Sequence, residues 1–96
     1  MLTTPILNDI KTFNATKDYT FTFNVIGGNQ VVGNNLVIER ISDNAVVYNQ
    51  SQETFNFKHT LPAYTLTNGL NYRAKIRTKD INNNWSSFST TLLFWC

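Results

Sequence analysis

The sequence predicts an all-β fold, a sandwich of about seven antiparallel strands in one domain. Two stretches alternate strictly with period two, Tyr19–Val25 and Tyr72–Lys79. Short apolar runs are separated by turn residues along the whole chain, among them Gly27-Gly28-Asn29, Ser42-Asp43-Asn44 and Asn68-Gly69. No apolar stripe of useful length recurs with the 3.6-residue helical period, and no internal repeat is visible.

Taken in order, the chain opens on an extended arm. Pro5 suits a strand start or an edge, and Ile6, Leu7 and Ile10 can pack as a short first strand. Asn14 to Asp18 reads as a polar turn. Tyr19, Phe21, Phe23 and Val25 then place an aromatic face opposite Thr20, Thr22 and Asn24. The loop that starts at Gly27 is expected to run as far as Asn35.

Leu36 to Ile41 reads as the next strand, with its phase open: Leu36 and Ile38 share one face, Val37 and Ile41 the other. Ser42-Asp43-Asn44 turns the chain, so Ala45 to Tyr48 pairs back as a hairpin. Gln50 to Glu53 reads as loop. Phe55 and Phe57, alternating with Asn56 and Lys58, form the next expected strand. After Pro62 and Leu66, Asn68-Gly69 supplies residues that tolerate positive φ. Tyr72, Ala74, Ile76 and Thr78 then face inward while Arg73, Lys75, Arg77 and Lys79 face outward. Asp80–Asn84 is a polar loop, and the last strand is expected from Trp85 through Leu92 and Phe94.

Composition bounds what such a domain does. The 96 residues include seven Phe, four Tyr and two Trp, enough for one modest core at roughly 1.5–3 kcal/mol for each large side chain buried. A single cysteine, Cys96, excludes an intrachain disulfide. The N-terminus carries no charged segment followed by an apolar one, so no signal peptide is expected. No apolar run approaches a membrane span. The net charge of +2 is too mild to imply nucleic acid. Asn14-Ala-Thr, Asn49-Gln-Ser and Asn84-Trp-Ser match the glycosylation acceptor pattern, as chance allows in a chain this rich in Asn, Ser and Thr.

Leu66-x-Asn68-Gly69-x-x-Tyr72, followed by alternation and Trp85-Ser86-Ser87-Phe88-Ser89, resembles the last two strands of a fibronectin type III domain. The resemblance extends over nearly the whole chain and implies an immunoglobulin-like sandwich. In that family the tyrosine hydroxyl bonds back to upstream backbone, and Leu66 and Tyr72 occupy those places. Trp85–Ser89 is also loosely similar to the WSxWS box of cytokine receptors, with Phe88 at the place of its second Trp. One departure stands: where the family usually has a Trp in the second strand, this chain has Phe23.

In the immunoglobulin-like plan the end loops carry binding sites. The loops at Gly27–Asn35, around Pro62 and at Asp80–Asn84 are expected to cluster at one end. The candidate loop surface is Gly28, Asn29, Gln30, Asn82, Asn83, Asn84 and Trp85. Trp85 either stacks on a sugar or packs across the neighbouring strand. Arg73, Lys75, Arg77 and Lys79 form a candidate basic stripe, read either as a site for a polyanion or as a solvated strand face.

Catalytic signals are missing. His59, the one histidine, has no nucleophile or metal-ligand pattern beside it and is expected at a strand end on a sheet edge. Asp80-x-Asn82-x-Asn84 imitates half of a calcium loop, but Trp85 stands where that loop needs Gly and Thr91 where it needs Glu. No cofactor, metal or enzymatic activity is expected.

Family resemblance implies a spacer or adhesion unit of a larger surface protein. Met1, the lack of a signal peptide and the lack of a disulfide point to a bacteriophage tail, baseplate or fibre protein. Such a protein is made in the bacterial cytoplasm and works at the virion or extracellular surface. Its expected partners are neighbouring modules or virion subunits. The alternative is a carbohydrate-binding accessory domain of a secreted bacterial glycoside hydrolase, with a cell-surface glycan as ligand. The apolar end, Leu92-Leu-Phe-Trp-Cys96, favours a first module of a longer chain.

Overall fold

The computed structural model describes residues 4–96. Seven strands run in the order β1 (Ile6–Leu7), β2 (Tyr19–Asn24), β3 (Val31–Arg40), β4 (Val46–Gln52), β5 (Lys58–Leu61), β6 (Asn71–Asp80) and β7 (Leu92–Trp95). They form a three-stranded sheet, β1-β2-β5, and a four-stranded sheet, β4-β3-β6-β7, antiparallel throughout. The chain changes sheets between β2 and β3, between β4 and β5, and between β5 and β6. This is an immunoglobulin-like sandwich of the fibronectin type III kind.

Alternation explains where the core sits. In β2, Phe21 and Phe23 point inward and are buried; in β6, Tyr72, Ala74 and Ile76 do the same. Leu7 of β1, Ala15, Leu36 and Ile38 of β3, Leu61 of β5, Leu66 and Phe94 complete the core. The aromatic rings pack in offset and edge-on pairs, with Phe21 edge-on to Phe94 at 5.8 Å and Tyr72 stacked on Phe94 at 5.7 Å, the geometries aromatic quadrupoles favour. The phase of β3 is thereby settled: Leu36 and Ile38 face the core. Val37 is buried as well, on the outer face, in register with Asn49 and Lys75.

The corner before β6 matches its signature. The Tyr72 hydroxyl accepts a hydrogen bond from the Thr67 amide at 3.0 Å. Gly69 takes φ +87°, a left-handed conformation that costs glycine nothing. Its amide donates to the Cys96 carbonyl at 2.9 Å, so the corner also anchors the end of β7. Asn68 accepts from the Ala15 amide at 2.8 Å and ties the 14–18 turn to the same end.

Several segments differ from the sequence reading. The loop after β2 ends at Gln30, not Asn35, because β3 already begins at Val31. A bulge between Val31 and Gly33 shifts the register there. A Cβ on Gly33 would lie 3.1 Å from the Gln52 carbonyl oxygen, so only glycine fits without movement. β4 extends through Gln52, whereas Gln50–Glu53 read as loop. Phe55 and Phe57 lie in the crossing loop and are 67% and 41% exposed. The strand starts three residues later than expected, at Lys58, so His59 and Leu61 take the inward positions. The last strand is regular only from Leu92. Before it, Ser86 and Ser89 run beside β6 and accept from the Thr78 and Ile76 amides through their hydroxyls, at 3.0 and 3.1 Å.

Candidate functional site

The alternation of β6 puts Arg73, Lys75, Arg77 and Lys79 on one outer face, as the sequence reading holds, and each has a partner there. Arg73 Nε bonds Glu39 Oε1 at 2.8 Å across the β3–β6 ladder, and its Nη2 donates to Asn44. Lys79 Nζ bonds Glu53 at 2.9 Å. Arg77 Nε donates to Asn35 Oδ1 at 3.2 Å. The segment after β6 folds back so that two aromatic rings interleave with the cations. Arg77 lies 4.6 Å from the Trp85 ring and 4.8 Å from Phe88; Lys75 lies 4.5 Å from Phe88; Lys79 lies 5.7 Å from Trp85. The stacking follows from period two in β6 set against the Trp85-x-x-Phe88 spacing, which the Ser86 and Ser89 hydroxyls hold alongside. Trp85 is thus packed across β6, and its ring already carries two cations.

At one end of the sandwich two of the expected loops do meet. Asn29 Nδ2 donates to Asp80 Oδ2 at 2.9 Å, and the Ile81 amide donates to the Gln30 carbonyl at 3.0 Å. Asp80 Oδ1 accepts from the Asn82 and Asn84 amides at 2.9 and 3.0 Å. These bonds, the one from Asn29 foremost, hold its carboxyl below the usual carboxylate range. Both carboxylate oxygens are therefore spent on shaping the loop. No group of three or more His, Cys, Asp or Glu side chains able to hold a metal occurs among the described residues. Gly28, Asn29 and Gln30 line a cleft of about 230 Å³ whose other wall is Phe55 and Phe57. These two rings are a part of the loop end that the sequence reading missed by assigning them to a strand.

The third loop, around Pro62, lies at the opposite end. The Ala63 amide donates to Asp18 at 2.7 Å and the Tyr64 amide to the Ala15 carbonyl at 2.7 Å. The antiparallel pairing of Tyr19 with Leu61 forces this, because it brings the start of β2 to the end of β5.

His59 stands second in β5, the edge strand of its sheet, as the sequence reading holds, but its side chain does not face solvent. It is fully buried between the sheets. Asn34 Nδ2 donates to the Lys58 carbonyl at 3.1 Å, so its Oδ1 faces His59 Nδ1 at 2.6 Å and accepts that N–H. Nε2 then accepts from the Tyr48 hydroxyl at 2.7 Å. Burial pushes the histidine down to about 4. The triad joins β3, β4 and β5, crosses between the sheets, and consumes both imidazole nitrogens.

The final strand buries Phe94 and leaves Leu93 and Trp95 71% and 58% exposed. Beside them a cavity of about 390 Å³ is lined by Ile10, Thr12, Ile41, Asn71 and the last strand's Leu93, Phe94 and Trp95.

No family model and no curated protein matches the sequence. Among solved structures, one described as "Myokine structure" superposes with a TM-score of 0.76 over 99% of this chain and 97% of that one, at 14% identity. At that identity the likeness concerns the fold.

Proposed function

We propose that the chain is a non-catalytic structural and interaction module, a spacer or adhesion unit of a larger assembly such as a virion tail, baseplate or fibre. One observation carries the reading. The side chains that usually perform chemistry are engaged in holding the sandwich together: His59 by Asn34 and Tyr48, Asp80 by its own loop, the β6 cations by acids, amides and aromatic rings. Every buried side-chain nitrogen and oxygen among the described residues has a hydrogen-bond partner, as a sandwich whose buried polar groups serve the fold requires. The test is the native reading frame and its neighbours. Further β modules or tail genes support the proposal; an in-frame catalytic domain carrying this chain as an appendage contradicts the virion setting.

A second reading, a carbohydrate-binding accessory module, draws support from the cleft at Gly28–Gln30. Its lining combines two phenyl rings with amides and has no charged side chain, a chemistry suited to a neutral sugar. Titration with a panel of neutral oligosaccharides, followed by amide shifts in residues 27–30 and 55–57, decides it: saturable shifts there favour this reading, and none at millimolar sugar removes it.

A further inference from the structure

Among the described residues, every hydrogen bond that joins a strand of one sheet to a strand of the other ends on Lys58, His59 or Thr60, consecutive in β5. Asn34 of β3 donates to the Lys58 carbonyl at 3.1 Å and accepts from His59. Tyr48 of β4 bonds the other nitrogen of the same ring. The Gln52 side chain of β4 does for Thr60 what a neighbouring strand would. Its Nε2 donates to the Thr60 carbonyl at 3.0 Å, and its Oε1 accepts from the Thr60 amide at 3.4 Å. Pairing with β2 occupies one side of β5. The other side is a strand edge, the kind of surface that invites pairing with a further chain, and side-chain amides of the opposite sheet seal it.

We propose that His59 is an acid-operated latch on this edge: when its ring takes up a proton, β5 parts from β3 and β4 and uncovers its outer side while the rest of the sandwich stays folded. The proton arrives on Nε2, which carries the free lone pair of the neutral ring. The Tyr48 hydroxyl, until then the donor, must turn and accept, and its own proton loses its acceptor. The Asn34 bond survives, so the ring keeps its place but now carries a charge. No carboxylate lies within ion-pair distance of it among the described residues. The ionisable groups on inward positions of the packed strands are Tyr19 of β2, Arg40 of β3, Tyr48 of β4, and Tyr72 and Asp80 of β6; β1, β5 and β7 add only His59 itself. Arg40 is paired with Asp43, and the Asp80 carboxylate is taken by Asn29 and the 82 and 84 amides. Glu53, in the loop before β5, pairs with Lys79. A buried charge without a partner favours whatever opening brings it to water. The edge is where least holds the chain, because β5 has four residues and a neighbouring strand on one side only. Burial keeps the closed ring at about 4 against an ordinary 6.5. Between those values each unit of acidification favours the open form about tenfold.

Native-state hydrogen exchange of the whole chain tests this, followed by nuclear magnetic resonance across the acid range and at urea concentrations below the unfolding transition. The Asn34 side-chain amide and the Thr60 backbone amide report on the seal. The Leu36 amide, in a central strand, reports on global unfolding. Protection of the two seal amides, corrected for the intrinsic pH dependence of exchange, should fall about hundredfold over two pH units below the ordinary histidine value. It should hardly respond to urea, since a local opening exposes little surface, whereas Leu36 should respond strongly. In His59→Gln, which has no proton to gain, seal protection should not depend on pH. Three results overturn the proposal: seal amides that exchange only through the urea-sensitive opening that frees Leu36, seal protection that acid leaves unchanged, or a wild-type pH dependence retained in His59→Gln. If that variant does not fold, the wild-type curves decide alone. None of these outcomes bears on whether the module is non-catalytic, and the virion setting is tested separately by the reading frame.

Discussion

The histidine between the sheets makes stability depend on pH in a window that belongs to it alone. Burial lowers its folded-state value from the ordinary 6.5 to about 4, and the chain has no second histidine. Between those values the unfolded chain binds a proton that the folded chain refuses, so stability rises with pH. The stabilisation is fully present above pH 6.5 and is lost as the pH falls towards 4. At 1.36 kcal/mol per unit, the window corresponds to about 3 kcal/mol, a sizeable share of the 5–15 kcal/mol typical of a domain. Urea unfolding at pH 7, 6, 5 and 4.5 measures it, and the midpoint should fall steadily with little change in slope. Aspartates do not confuse the window. Asp43, held at about 2 chiefly by its hydrogen bond from Arg40, loses its contribution only as the pH falls below 3.8. His59→Leu should flatten the profile while lowering stability at pH 7, because Asn34 and Tyr48 lose their shared partner. A wild-type stability that does not change from pH 7 to 4.5, or an imidazole titrating near 6.5, refutes the reasoning.

Three further expectations follow from single contacts. Tyr72→Phe removes the hydroxyl bonded to the Thr67 amide and should cost about 1–3 kcal/mol in urea unfolding; a neutral result would mean that the corner does not depend on that bond. Gly33→Ala pushes a methyl group to 3.1 Å from the Gln52 carbonyl and should destabilise by about 1–3 kcal/mol; unchanged stability would show that the β3 bulge yields freely. Heparin retention should change little in Arg73→Ala/Arg77→Ala, since both guanidinium groups are already occupied by Glu39, Asn35 and the aromatic rings; a sharp fall would restore the stripe as a polyanion site.

Legibility in the sequence followed from how one-sided each strand is. β2 and β6 each have one wet face and one dry face, so their residues alternate cleanly and their inward sets are read correctly. β3 is central in its sheet and buried on both faces, which erases the alternation. Its first half also carries Gly33, Asn34 and Asn35, residues that signal a loop. Asn34 is buried because His59 and the Lys58 carbonyl satisfy its amide, and a partner 25 positions away in the chain leaves no local trace. β5 shows the reverse error. Phe57, His59 and Leu61 share one parity, so the period was visible, but apolar character favoured the phenylalanines over a histidine as the strand's centre. The loop surface was half legible for the same reason. Asn29 and Asp80 read as turn residues, and only the antiparallel register reveals that Pro62 faces the other way.

Long-range nitrogen–proton spectra of the His59 ring at neutral pH test most directly the claim that the polar side chains serve the fold. The ring should show a single neutral tautomer, its proton on Nδ1 facing Asn34 and its Nε2 accepting from Tyr48. A mixture of tautomers, or a ring proton that exchanges freely with solvent, would contradict the account.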